Sequence, residues 1–152
     1  MTLRAAMLAW IVASVAWNAS ASDFCQRLGE LTVEARSDFA DRPIKGTFEP
    51  DLPGKPECSL ILQLGGAKAL NCQWIFPFRA PEAGQTFKAT VEATQTCEGS
   101  KVTLHQDQQV NHPDTYDLRK FVLNGVGIDV SLKDKGALQK TLVFLRIGRP
   151  AL

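Results

Sequence analysis

The chain has 152 residues, of which 45% are hydrophobic and 22% are charged, and its 17 basic and 16 acidic residues give a net charge of +1. A chain of this length and composition is predicted to form one globular domain with a sizeable apolar core. The charges form no basic run and no acidic tail, which removes the electrostatic argument for binding nucleic acid or an anionic membrane surface.

The first 21 residues have the features of a signal peptide. Arg4 supplies a short positive region, residues 5–17 form an apolar run with one serine, and Ala19-Ser20-Ala21 fits the small-x-small cleavage pattern. The alternative is an uncleaved anchor, but the run is shorter than the roughly 20 residues that span a bilayer. We therefore predict cleavage after Ala21, a single domain over residues 22–152, no stable membrane anchor, and a periplasmic or secreted location.

Export changes how the cysteines are interpreted. All four lie in the predicted mature domain: Cys25, Cys58, Cys72 and Cys97. An even number of cysteines in an oxidising compartment predicts two disulfides. Metal binding is the rival interpretation, but the chain has no C-x-x-C and no H-x-x-x-H spacing. Apolar neighbours also argue against reactive thiols.

The first predicted element is a helix over residues 23–39. Apolar side chains recur there at intervals of three or four, with charged residues between them, and Ser22 or Asp23 can cap the start. A loop rich in proline and glycine is expected over residues 42–56. Residues 57–78 then alternate as a β-hairpin with one apolar face, and Gly65-Gly66 supply the turn.

Pro81 favours the start of a second helix over residues 81–97, whose inward stripe is predicted to be Ala83, Phe87, Val91 and Thr94. Residues 102–104 are a candidate short strand. Three strands are then predicted, and Asn124-Gly125 is a strong hairpin signal between the first two. Their ranges are 119–123, 126–132 and 138–147.

The predicted order is helix, hairpin, helix, three-strand meander. Short connections between consecutive strands favour antiparallel pairing, and helices with a single apolar stripe fit one face of a sheet. We therefore expect an α+β, two-layer sandwich with an antiparallel sheet of about five strands and both helices on one face.

Both faces of the last predicted strand are apolar. Leu142 and Phe144 have one parity, and Val143, Leu145 and Ile147 have the other. If the helices cover the first parity, the second forms an exposed apolar row. Val143, Leu145 and Ile147 are therefore the candidate interface for an unknown protein partner or for a homodimer.

The disulfide pairing is predicted from distances along the chain. The second helix runs back about 24 Å, which brings Cys97 near Cys72 at the far end of the second strand. A turn at Gly65-Gly66 followed by Ala67 places Cys58 opposite Trp74, out of register with Cys72. The predicted pairs are Cys72–Cys97 and Cys25–Cys58. A tighter turn would instead give Cys58–Cys72 and leave Cys25 for Cys97.

The only cluster that resembles metal ligands lies around the polar segment 106–117. Imidazole and carboxylate are suitable donors, and the candidates are His105, His112 and Asp114, with Asp107 and Asp117 nearby. Their spacing matches no known site, and a turn around Pro113 explains the same residues. No serine occurs in G-x-S-x-G, so the sequence offers no catalytic residue and no cofactor-binding motif.

Two stretches, NHPDTYDLRKF and VSLKDKGALQKTLVFLR, together with the layout of the cysteines, resemble an uncharacterised family of short exported bacterial proteins. The resemblance implies a bacterial periplasmic setting. It assigns no activity and no catalytic or binding residue.

These observations favour a non-catalytic periplasmic or secreted domain that binds a protein partner or associates with itself. Nucleic acid is not an expected partner. One alternative is a small-ligand or metal-binding module that uses residues 105–117. Another is an enzyme whose site is assembled from residues far apart in the sequence.

Overall fold

The computed structural model describes residues 16–107 and 116–150, which form two helices and a six-stranded antiparallel sheet. In chain order the elements are α1 (Ala16–Arg36), β1 (Glu57–Leu62), β2 (Lys68–Pro77), α2 (Pro81–Thr96), β3 (Lys101–Asp107), β4 (Tyr116–Leu123), β5 (Val126–Lys135), a 3₁₀ turn (Gly136–Leu138) and β6 (Lys140–Gly148). The α+β class and the antiparallel pairing are confirmed. The sheet has six strands rather than about five, because the candidate strand at 102–104 is a complete edge strand paired with β4.

The strands lie in the order β1-β2-β6-β5-β4-β3. The last strand is therefore central, with β2 on one side and β5 on the other. The meander from β4 to β6 has the short connections that the sequence indicates, and Asn124-Gly125 forms the turn from β4 to β5 with positive φ at both residues.

Helix α1 differs from its predicted bounds at both ends. It is continuous through Ser22 and Asp23, so neither residue is an N-cap. It ends at Arg36 because Asp38 and Phe39 adopt positive φ angles of 57° and 48°. Lys68 stabilises this end, since its Nζ donates to the Phe39 carbonyl at 3.0 Å and its backbone N–H donates to the Asp38 carboxylate at 2.8 Å. No helix among the described residues is both long and apolar enough to cross a membrane.

One face of the sheet packs against the two helices, and we call it the covered face. The core cluster combines side chains from α1 and α2 with a single parity of the strands. In helix α2 the buried stripe is Ala83, Phe87, Thr90 and Thr94, so Thr90 takes the inward place predicted for Val91. The strand residues of the cluster are Cys58, Leu60, Leu70, Cys72, Trp74, Phe121, Leu123, Val126, Ile128, Val130, Val143, Leu145 and Ile147.

The predicted interface row on the last strand is wrong. Val143, Leu145 and Ile147 are fully buried on the covered face. They contact the core because β6 lies in the middle of the sheet, where both helices pack. The helices cover this parity of the strand, and the parity of Leu142 and Phe144 faces away from them.

The predicted disulfide pairing is also wrong. The bonds join Cys25 to Cys97 and Cys58 to Cys72. The hairpin turn is centred on Gly65, with Gln63 N–H donating to the Ala67 carbonyl at 2.8 Å, so Cys58 lies directly opposite Cys72. This centre is one residue earlier than the predicted turn, which removes the expected register offset.

The second bond follows from the position of the helices. Cys25 lies near the start of the packed part of α1 and Cys97 caps the end of α2, with their Cα atoms 5.3 Å apart. This bond joins helix to helix rather than helix to strand.

A loop partly covers the outer edge of β1. The Phe48 backbone N–H donates to the Cys58 carbonyl at 3.1 Å, which adds a single bridge to the edge strand. The indole Nε1 of Trp74 donates to the Pro53 carbonyl at 3.0 Å, and Gly54 leaves no room for a side chain beside the indole. Covering an edge with a loop is a common protection against strand pairing with other chains.

Candidate functional site

The face of the sheet that carries no described helix is the candidate site, and we call it the open face. Residues directly opposite each other on antiparallel strands share a face, so the registers define its members. Glycines aside, they are Glu57, Ser59 and Ile61 of β1; Ala69, Asn71, Gln73, Ile75 and Pro77 of β2; Lys140, Leu142, Phe144 and Arg146 of β6; Asp129, Ser131, Lys133 and Lys135 of β5; Tyr116, Leu118, Lys120 and Val122 of β4; and Lys101 of β3.

Large apolar side chains lie in the middle of the open face. Ile75 is directly opposite Leu142, and Phe144 follows two residues later on the same side of β6. Ile75 is 41% exposed, and Leu142 and Phe144 are half-buried. These side chains are accessible to a binding partner, because no helix among the described residues packs on them.

Lys133 lies beside this apolar group. It is opposite Leu142 on one side and Tyr116 on the other, in a row that crosses four strands from Ile75. Its Nζ is 5.1 Å from the centroid of the Tyr116 ring and 5.3 Å from that of the Phe144 ring. Both distances are within the range of a cation–π interaction.

Burial lowers the pKa of Lys133 below that of an ordinary lysine, and the nearby cations Lys135 and Arg146 lower it further. Within the described residues, its ammonium forms no hydrogen bond or ion pair with a carboxylate. The two aromatic rings are its stabilising contacts in this part of the structure.

An ion pair lies on the open face two rows away from the row of Lys133. Arg146 of β6 is opposite Asp129 of β5 and donates a hydrogen bond to its carboxylate, and Lys120 of β4 is opposite Asp129 on the other side. One carboxylate therefore lies between two cations. The row has a net positive charge, in agreement with the rest of the face.

The open face as a whole is basic. Among residues whose side chains the structure describes, the strand registers place six cations on it, Lys101, Lys120, Lys133, Lys135, Lys140 and Arg146, against two carboxylates, Glu57 and Asp129, and the backbone register also pairs Asp107 of β3 with Leu118. This imbalance contrasts with the nearly neutral chain. The sequence does not reveal it, because the cations are spread over four strands and form no run.

The described residues of the open face can bind, but they provide no arrangement for catalysis. Ser131 is buried and has no histidine among its described neighbours. The face combines apolar contact area from Phe144, Tyr116 and Leu142 with the positive charge of Lys133. Such a surface suits a partner that offers both apolar and acidic groups.

The predicted metal ligands are not brought together by the part of the chain that the structure describes. His112, Asp114 and the side chain of His105 lie outside the described residues, so the metal site stays a prediction. Asp117 is described, and it accepts a hydrogen bond from Arg119. Residues 16–107 and 116–150 contain no group of three or more potential ligands that could hold a metal ion.

A second concave region lies beside the β1 edge. It is a surface cavity of about 710 Å³ in the loop before β1, with Phe48 and Leu52 among its apolar residues and Glu49, Asp51 and Glu57 among its acidic ones. Its charge is opposite to that of the open face.

The residues of the open face were present in the sequence pattern but were assigned to the wrong surface. The alternation of β6 separates Leu142 and Phe144 from Val143 and Leu145, and the prediction placed the helices over the first pair. The predicted strand 126–132 ends one residue before Lys133. Strand β5 in fact continues to Lys135.

Comparisons of the chain with protein-family models, with curated proteins and with solved structures found no match.

Proposed function

We propose that this protein is a non-catalytic domain that acts in the periplasm or outside the cell and binds another protein through its open face. The proposal depends on one observation: Ile75, Leu142 and Phe144 form an accessible apolar group on a sheet face without a described helix. A group of this kind bordered by polar and charged residues is typical of a protein-binding surface.

The two disulfides support an oxidising compartment. Cys25–Cys97 and Cys58–Cys72 use all four cysteines, and no free thiol remains. Structural disulfides persist in secreted and periplasmic proteins and are rare where glutathione keeps thiols reduced. The predicted signal peptide agrees with this setting.

The charge of the open face favours a different protein over a second copy. If two open faces met, six cations would approach six cations, with two carboxylates among the described side chains of each face. Like charges that approach in an interface are strongly unfavourable. Association with a protein of complementary charge avoids this cost.

Site-specific photocrosslinking in the envelope of the native host tests the proposal. A photoreactive residue is placed at Ile75, which is 41% exposed on the open face, and at Val33, which is 56% exposed on α1, as the matched control. We expect one protein to crosslink from position 75 and not from position 33. That protein, once purified, should bind the domain, and Leu142→Glu should weaken binding at least about tenfold by placing a charge in the apolar centre.

Two outcomes contradict the proposal. Crosslinking that is the same at positions 75 and 33 would show that the open face has no special role. Crosslinking from position 75 only to a second copy of the chain would replace the proposed partner with self-association.

A further inference from the structure

Lys133 is a cation of the open face whose described side-chain contacts are two aromatic rings and no carboxylate. Arg146 has the carboxylate of Asp129, and Lys120 is opposite the same residue. Lys133 instead lies opposite Leu142 and Tyr116, and both charged residues that act on it are cations. A carboxylate of a ligand bound at this position would offset the repulsion between Lys133 and the neighbouring cations Lys135 and Arg146.

The surroundings of Lys133 define what else such a ligand should contain. Ile75 and Leu142 continue its row toward β2, and the Phe144 ring lies on its other side. A ligand that bound only by charge would leave these side chains exposed. An acidic residue two positions away from a large apolar residue would contact both, because the side chains at positions i and i+2 of an extended segment lie on the same face.

A phosphate polymer fits this surface less well than a protein does. Asp129 and Glu57 interrupt the positive charge, and the row of Phe144 and Ser131 lies between Lys133 and the row of Arg146. Binding to nucleic acid depends on many simultaneous phosphate contacts along a continuous basic surface. The open face instead offers Lys133 beside the apolar side chains of Leu142 and Phe144, with Lys135 and Lys140 in the neighbouring row.

We infer that the open face recognises an acidic, apolar segment of its partner protein, and that a carboxylate of this segment binds the ammonium of Lys133 between the Tyr116 and Phe144 rings. The inference rests on the proposed function and specifies its partner. Ile75 and Leu142 then bind an apolar side chain two positions away from that carboxylate.

The probe for this inference is a blocked synthetic peptide of Glu-Ser-Leu-Ser repeats, in which glutamate and leucine share one face of the extended chain. Binding to the full oxidised domain is measured by calorimetry, and its position by amide chemical shifts. We expect the peptide to shift signals of β4, β5 and β6, and its glutamine analogue to bind at least about tenfold more weakly. Lys133→Gln should weaken binding of the glutamate peptide about tenfold, while Lys88→Gln, an exposed position on α2, should change it less than about twofold.

Several outcomes overturn the inference. They are equal binding of the glutamate and glutamine peptides, equal effects of the two lysine substitutions, no binding at millimolar peptide, or tighter binding of a thymidine oligonucleotide of the same charge. The proposed function is judged separately by the crosslinking difference between positions 75 and 33. A crosslinked partner whose binding is insensitive to Lys133→Gln would leave the proposed function intact and remove the carboxylate site.

Discussion

Strand β6 carries two rows of apolar side chains that have different environments. Val143, Leu145 and Ile147 are fully buried under the two helices, whereas Leu142 and Phe144 remain half-buried on the open face. The rows have similar hydrophobicity and lie on the same backbone, one residue out of phase. Their environments differ because the two helices pack on one row and not on the other. Alternation in the sequence does not indicate which row the helices cover.

The two rows of β6 differ in what they contribute: the covered row stabilises the fold, and the row on the open face is accessible for binding. Burial of the first row supplies free energy of folding through the apolar area it removes from water. The second row contributes less to folding, since it stays partly hydrated. Selection for binding can therefore act on Leu142 and Phe144 with a smaller cost in stability than on their neighbours.

The largest expected effect comes from placing the same charge in each row. Leu145→Asp buries a carboxylate without a partner and should destabilise the fold by more than about 4 kcal/mol, enough to leave the domain unfolded. Leu142→Asp places the carboxylate opposite Lys133 and should stay within about 1 kcal/mol of the wild type. Circular dichroism and urea unfolding measure both, and similar losses for the two variants would mean that the open face is also core.

The two disulfides are expected to contribute differently to the stability of the fold. Cys25–Cys97 links the two helices and closes a sequence separation of 72 residues, whereas Cys58–Cys72 closes 14 residues within the sheet. In the chain-entropy model, replacing the first pair by alanine should cost about 4 kcal/mol and replacing the second about 3 kcal/mol. Urea unfolding of the two double variants gives the order, and a larger loss for Cys58 and Cys72 would contradict it.

The smallest expected effect is a dependence of stability on pH that originates at Lys133. Burial and neighbouring cations hold the pKa of Lys133 in the folded protein below that of the unfolded chain. Between these two pKa values the unfolded chain binds more protons, so stability should rise as the pH increases toward about 10.4. Below the folded-state pKa the full penalty is present, and above the unfolded-state pKa it is absent.

Lys133→Gln is the control for this pH effect. The stability of the wild type relative to this variant should increase as the pH rises from the folded-state pKa of Lys133 toward about 10.4, as the ammonium that causes the penalty loses its proton. A relative stability that decreases over that range would mean that the Tyr116 and Phe144 rings favour the ammonium more than burial disfavours it.

Much of the fold follows from local sequence signals. Pro81 at the start of α2, Asn124-Gly125 between β4 and β5, and the alternation of residues 57–62 act within a few residues of the chain. Such signals do not depend on distant contacts, and so the class, the order of elements and the antiparallel pairing could be predicted. The same is true of the amphipathic stripe of α1, from Phe24 to Ala35.

The errors concern features that depend on distant contacts or on single-residue register. Helix α1 ends early because Asp38 and Phe39 turn the chain, and Lys68, about thirty residues away, holds that turn. A shift of one residue in the centre of the Gly65 turn reassigns both disulfides. The open face could not be identified because its cations come from four strands, and only the strand order brings them together.

The central position of β6 has a consequence for how the chain reaches this structure. Strands β1 and β2 form one ladder and β3, β4 and β5 form another, and β6 is the strand that joins them. During synthesis these two ladders exist before the joining strand does, so neither can acquire its final neighbour until residues 140–148 are available. Nonlocal pairing of this kind slows folding and prolongs the exposure of unpaired edges. The apolar core therefore cannot close until the end of the sheet has been made.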